Sequence, residues 1–390
     1  MCREALRRSD PLKARTARIW SLVHKWTSLI STVFLLLLCL TGLPLIFTHE
    51  INDALGYSPK KEPHPPGASK LSLDAVGRAA LADKPGSVLL YLGWDKDDPG
   101  QVYTYANTSV TADPQTTTVK TFDEYTAKPI GSVGGGPMLV LLRLHTDVYL
   151  GLPGKLFMGF MGLLFMTAII SGVVLYWPFT RRLNFAAIRK EKSRRVRWLD
   201  WHNLLGVVTV CWALVVGGTG VINTLAEVML GVWQRNELAA MAAPYAGKPP
   251  PAQLASLDKV VGNATVAMPG MDIAFIAFPG TPFTSSHHYA AFMRGDTPLT
   301  ARLMRPVLLD GETGAVSDTS DLPIYLKALL VSQPLHFGDY GGMPLKIIWA
   351  LLDVLTIIVL GGGVYLWWVK RSKVRRGARL ATAGPALQAS

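Results

Sequence analysis

The feature that most constrains this chain is a set of four apolar runs, Leu29–Phe47, Leu156–Trp177, Leu204–Leu225 and Leu345–Val369. Each is close to the roughly 20 residues a helix needs to cross the hydrocarbon core of a bilayer. Asp353 is the only ionisable residue well inside any of them. In lipid, every backbone N–H and C=O must find a partner within the protein, so runs of this length fold as helices. A membrane protein with four spanning helices is predicted. The 49% apolar content over 390 residues agrees with that better than with a soluble chain of two or three domains.

The net charge of +12 is unevenly spread. Residues 1–28 carry seven Lys and Arg against two acids, 178–203 carry eight against two, and 370–390 carry six against none. Segment 50–138 has eight basic and eleven acidic residues, and 231–343 has seven and nine. Short loops rich in Lys and Arg stay on the cytoplasmic side, so both termini and the middle loop are predicted there and the two long segments outside. Orientation therefore accounts for the basic excess, and no nucleic-acid partner is needed; the lipid bilayer is the partner. The N-terminus is basic and then apolar, like a signal peptide. Its run is too long, and no small-residue cleavage site follows it, so a retained anchor is predicted. Cys2, Cys39 and Cys211 form neither CxxC nor CxxCH, and none falls in the outer segments. No disulfide and no covalent haem attachment are expected.

These signals divide the chain into a cytoplasmic segment 1–17, a first span 18–49, an external segment 50–138, and an interfacial stretch with the second span at 139–178. A cytoplasmic loop 179–197, a third span 198–230, a second external segment 231–330, an interfacial stretch with the fourth span at 331–369, and a cytoplasmic tail 370–390 follow. Each external segment reads as a small α+β domain. LSLDAVGRAALADK and PAQLASLDKVVGNA have helical spacing. SVLLYLGW, QVYTYAN, TTTVKTFDEYT, IAFIAFPG, HHYAAFMRG and RPVLLDGETGAV are β-branched and aromatic, with turn residues between them. Proline-rich linkers, KEPHPPGASK and AGKPPPAQ, lead into each.

The chain also repeats itself. At an offset of 178, Trp20, His24, Leu36, Thr41 and Gly42 fall on Trp198, His202, Leu214, Thr219 and Gly220. At an offset of 191, His145, Tyr149, Gly151, Pro153 and Lys155 fall on His336, Tyr340, Gly342, Pro344 and Lys346, and Gly172 and Trp177 fall on Gly363 and Trp368. The unit is helix, external segment, helix, present twice in one membrane orientation. That implies an approximate two-fold axis along the membrane normal.

Four of the eight histidines belong to the repeat. His24 and His202 precede the first and third spans, on the cytoplasmic side; His145 and His336 precede the second and fourth, outside. The axis then pairs each set, one pair near each face. Two neutral imidazoles facing one another suit a low-spin haem iron with two axial ligands, so two haem b groups are expected. Glycines at 42, 172, 217, 218, 220 and 361–363 would give a macrocycle room. The plainer readings are interfacial anchors for the histidines and helix packing for the glycines. A zinc site is the competing metal reading, but it wants more ligands, and only Asp200 and Cys2 offer themselves on the cytoplasmic side. His49 is unduplicated and is a further candidate for the outer site. His64 is given no role, and His287 and His288 read as surface residues. Asp353 lies about 13 Å into the fourth helix, opposite Gly162 in the repeat. An intramembrane carboxylate is a candidate auxiliary group, by hydrogen bonding within the bundle or by carrying a proton.

LVHKWTSLISTVFLLLLCLTG, with LHTDVYLGLPG and LHFGDYGGMP before the later spans, resembles the PepSY-associated transmembrane proteins. The resemblance covers about 15–373, and the external segments look like PepSY domains. Within that family the similarity points to inner-membrane ferric-siderophore reductases. It implies haem ligation by His24, His145, His202 and His336 and a Gram-negative inner membrane. The expected function is a haem-dependent oxidoreductase that takes electrons from a cytoplasmic reductase or membrane quinol. It would deliver them to a periplasmic ferric siderophore and release Fe(II). No GxGxxG follows a strand, so the donor is separate. A PepSY sensor or peptidase-modulating protein, and a transporter, are the alternatives.

Overall fold

The computed structural model describes residues 14–59, 63–96, 98–132, 136–180, 186–297 and 300–383. The chain begins with α1 (Ala14–Leu45), α2 (Thr48–Leu55) and α3 (Leu73–Asp83), then β1 (Val88–Gly93), β2 (Gln101–Asn107), β3 (Thr118–Asp123) and β4 (Pro129–Ser132). Next come α4 (Pro137–Thr146), α5 (Leu152–Thr180), α6 (Arg194–Thr224), α7 (Ala226–Trp233), a π-helical turn (Gln234–Leu238) and α8 (Ala239–Ala242). The second half closes with α9 (Leu257–Ala267), β5 (Asp272–Ala277), β6 (His288–Arg294), β7 (Arg305–Asp310), β8 (Val316–Asp318), α10 (Ile324–Phe337) and α11 (Gly342–Ala383). These elements form two compact units. Of the described residues, one draws on 14–46, 141–180, 186–224 and 335–383, the other on those within 47–140 and 225–334.

The first unit is a helical bundle. Among the described residues, four helices are long and apolar enough to cross a membrane, over Arg15–Leu45, Leu152–Trp177, Arg194–Thr224 and Asp339–Ser372. The protein is therefore a multi-pass membrane protein. Both α1 and α6 pack against α5 and α11. Val33, Leu40 and Trp368 are more than 60% exposed, which is the face a helix turns to lipid. The interior is filled by small and hydroxylated side chains, among them Ser31, Thr32, Thr41, Ser171, Thr209 and Thr356. Without a hydrophobic drive between helices, close approach and hydrogen bonds hold them together. Gly159 and Gly162 of α5, set against Thr224 and Val221 of α6, provide that approach. The hydroxyls are satisfied locally, as where Thr41 donates 2.7 Å to the Leu37 carbonyl and Thr219 donates 2.6 Å to that of Val215.

The motif shared by the second and fourth spans has a local reason. In each copy a helix carrying the histidine (α4 or α10) ends, the chain turns, and the spanning helix begins. Gly151 and Gly342 stand at φ of +62° and +57° in those turns. Gly342 combines this with ψ −155°, a region closed to side chains. Pro153 and Pro344 then lie in the first turn of α5 and α11, where a missing N–H costs nothing.

The second unit refines the expectation of two small domains. Each external segment does supply a helix and four strands, but the eight strands make one antiparallel sheet in the order β4-β3-β2-β1-β5-β6-β7-β8. The join is β1 to β5, with Tyr91, Leu92 and Gly93 opposite Ala277, Ile276 and Phe275. A single core runs through both halves and includes Val76, Leu92, Val102 and Phe122 from one and Val260, Ile276, Met293 and Leu309 from the other. α3 and α9 cap one another. The Asp258 carboxylate accepts from the Ser72 hydroxyl and the Leu73 N–H, while Asp74 accepts from the Ser256 hydroxyl and the Leu257 N–H. A carboxylate at a helix N-terminus satisfies donors that the helix leaves open.

Candidate functional site: two histidine pairs in the bundle

Each of the four duplicated histidines points its Nδ1 at a neighbouring spanning helix. His24, on α1, has Nδ1 2.9 Å from the Ala168 carbonyl of α5 and 3.3 Å from Ser171 Oγ. His202, on α6, has Nδ1 3.0 Å from the Val359 carbonyl of α11. His145, on α4, has Nδ1 3.0 Å from Oγ1 of Thr41 on α1, whose hydroxyl is donated to the Leu37 carbonyl. His336, on α10, has Nδ1 2.9 Å from the Val216 carbonyl of α6 and 3.3 Å from Thr219 Oγ1. A carbonyl only accepts, so Nδ1 carries the proton and Nε2 keeps its lone pair. This is the second-shell arrangement that fixes a ligating imidazole's tautomer and ring plane.

A glycine lies against each ring. A methyl group at Gly42 would stand 3.0 Å from His145 Cε1, at Gly172 3.1 Å from His24 Cε1, and at Gly220 3.1 Å from His336 Cε1. At Gly363 it would stand 3.5 Å from His202 Cε1, an ordinary contact. These glycines thus admit the edge of an imidazole, where the sequence suggested room for a macrocycle.

The pairing is His145 with His336 and His24 with His202. The first two rings have centroids 6.1 Å apart, with planes at 64°. The second two are close enough to interact electrostatically. With metal–imidazole bonds of about 2 Å on either side, two rings holding one metal have centroids roughly 6 Å apart. On α1, His24 is 18 residues from Gly42, a rise of about 27 Å along the helix. The two pairs therefore sit towards opposite ends of the bundle.

Among the described residues, no group of three or more His, Cys, Asp or Glu could hold a metal ion. Asp200 is instead engaged by Arg189, whose Nη2 donates 2.6 Å to Oδ1 and whose Nε donates 3.1 Å to Oδ2. Cys2 lies outside the described residues. A donor set of two imidazoles fits a metal that brings its own equatorial ligands, as haem iron does. It fits tetrahedral zinc poorly.

The other candidates are placed differently. His49 lies on α2, in the second unit, with its side chain exposed. Asp353 is buried in the bundle beside the Cys39 thiol of α1. His64 is tied to Asp123, Nε2 to Oδ2 at 2.6 Å, and stacks on Tyr125. His288 is fully buried rather than at the surface, because β6 is a central strand with both faces covered; its Nδ1 lies 2.6 Å from Ser285 Oγ. Sequence reasoning missed the Nδ1 partners. Three are backbone carbonyls, which carry no side-chain signature, but the repeated Thr41-Gly42 and Thr219-Gly220 dipeptides were a usable signal.

A family model for the PepSY-associated transmembrane region matches residues 21–370. Over 255 residues the chain is 25% identical to a Pseudomonas aeruginosa protein named "Uncharacterized protein PA4219". That alignment covers 60% of this chain and 64% of the relative, so the chain spans a little under two thirds of that protein's length. With nearly its whole length matched by the family model, this chain belongs to the PepSY-associated transmembrane family.

Proposed function

We propose that the protein is a di-haem inner-membrane reductase that delivers electrons from the cytoplasmic side to a periplasmic ferric siderophore and releases the iron as Fe(II). The observation that carries this reading is the pair of histidine pairs, each imidazole held by Nδ1 and leaving Nε2 to bind. His24 with His202, and His145 with His336, would each hold one haem b. That group supplies reversible one-electron Fe(III)/Fe(II) chemistry when bound. The chain's part is to fix the imidazole planes through the Ala168, Val359 and Val216 carbonyls and the Thr41 hydroxyl, and to exclude water from the bundle. A reductase helps release because the hard oxygen donors of siderophores favour Fe(III).

The finer architecture goes with this reading. A two-helix unit repeated about a pseudo-two-fold along the membrane normal would place one pair near each face, and each half of the sheet would be a PepSY-like domain. The charge distribution supports cytoplasmic termini. The donor is a cytoplasmic reductase or membrane quinol, and the group within the family that fits best is the siderophore reductases. Purified protein should show a Soret band, and pyridine haemochrome analysis should give two non-covalent haem b per chain. A colourless protein would overturn the reading in favour of a PepSY sensor or a transporter.

A further inference from the structure

We infer that Asp353, with the Cys39 thiol beside it, is a proton-binding site that loads when an electron arrives in the bundle. The inference rests on the reading of the histidine pairs as electron-carrying centres. Asp353 is 6% exposed, on α11, and the Cys39 thiol of α1 lies beside its carboxyl group. Its Oδ2 has no hydrogen-bond partner among the described residues. A buried carboxyl oxygen left unpartnered is costly and calls for a ligand, and the smallest that fits is a proton.

The position is intermediate between the two pairs. Cys39 lies within a turn of Gly42, which touches His145. Asp353 precedes Val359, which holds His202, by six residues, or about 9 Å of helix rise. The other titratable groups on the packed helices are few. On α1 there is only Cys39 between Lys25 and Leu45, and on α6 only Cys211, on an exposed side, between His202 and Thr224. α5 has none between Lys155 and Tyr176, and α11 has none besides Asp353 between Lys346 and Tyr365. The paired histidines complete the set. Asp353 is the one carboxylate in the middle of the bundle.

An electron adds a negative charge to a medium that screens poorly. About 10 Å from a carboxyl, at an effective dielectric of about 20, it strengthens proton binding on the order of tenfold. Linkage is reciprocal, so a bound proton strengthens electron binding by the same factor. The cycle balances. One electron from the cytoplasmic donor and one proton from water enter; the electron then leaves to Fe(III) in the chelate, giving Fe(II), and the proton returns to water.

The test is an optical redox titration of the full-length, haem-loaded protein between pH 5.5 and 8.5. In wild type, the midpoint of the His145/His336 centre should fall as pH rises, by about 59 mV for each tenfold loss of electron affinity in a one-electron couple. Asp353→Asn should abolish that slope. Wild-type midpoints that ignore pH, or a slope retained in Asp353→Asn, overturn the inference; a carboxyl that merely ties α11 to α1 would leave the slope in place. Should Asp353→Asn fail to load haem, redox-difference infrared spectra decide with wild type and Cys39→Ala. Wild type should show a protonated-carboxyl C=O band that appears on reduction and moves in Cys39→Ala, and its absence from wild type overturns the site. A protein without haem overturns the reductase reading itself, whereas a haem-bearing protein with flat midpoints overturns only the proton site.

Discussion

At the scale of single residues, the glycines beside the histidines make the sharpest claim. Alanine in place of glycine within a helix ordinarily helps by about 1 kcal/mol, so any loss must come from crowding. A methyl at Gly42 or Gly220 would press within 3.0–3.1 Å of the His145 or His336 ring, tighter than ordinary van der Waals contact. On the proposed reading each imidazole must align with a haem iron, and displacing it would cost occupancy. Gly42→Ala and Gly220→Ala should therefore lower haem content from two towards one per chain by pyridine haemochrome. Gly363→Ala, with 3.5 Å available, should keep two. Equal loading of all three variants would show that the glycines only pack helices. The histidines were legible in the sequence because they and the special residue types around them recur at fixed offsets. What the glycines do was not, since a helical glycine reads alike whether it admits a macrocycle, another helix or the edge of a ring.

At the scale of elements, the two halves of the sheet use one device at the end of their third strands. Asp123 Oδ1 accepts from the N–H groups of Tyr125 and Thr126 and from the Thr126 hydroxyl. Asp310 Oδ1 accepts from those of Glu312 and Thr313 and from the Thr313 hydroxyl. These turns were readable as DEYT and DGET, because Asp bonds its own chain two and three residues on. Burial pushes the Asp310 carboxyl up, but the hydrogen bonds from Thr313, Tyr245 and Glu312 outweigh it and hold the group down to about 2. The folded value is depressed below the carboxyl's ordinary value of 3.8, so the contribution is fully present above pH 4 and is lost as pH falls from about 4 to about 2. Discounted for partial exposure, it amounts to about 1–2 kcal/mol. Thermal unfolding of wild type should lose stability over that window, and Asp310→Asn should be less stable at pH 6 with a flatter acid limb. Parallel curves for the two proteins would refute the role given to this turn.

At the scale of the whole molecule, the sequence showed the strands but not which of them meet across the halves. β1 and β5 are about 180 residues apart, and each is an apolar strand of the same pattern, so nothing local says that they pair. Register and partner choice are tertiary facts, set where two buried edges can cover one another. Their pairing has a consequence for the membrane. Strands sharing hydrogen bonds must lie on one side of the bilayer, so 47–140 and 225–334 must be on the same side. Two spans, α5 and α6, separate them, and an even number of crossings satisfies this. The basic loop between those spans must then face the opposite side, and its Lys and Arg content is what supports the proposal that this side is the cytoplasm. Reporter fusions at Pro114 and Pro250 should both register as periplasmic and a fusion at Arg189 as cytoplasmic. Opposite signals from Pro114 and Pro250 would be incompatible with the shared sheet, since no strand pairs across a bilayer. Reversed signals from all three would keep the sheet and instead invert the proposed direction of electron delivery, placing the His145/His336 pair on the donor side.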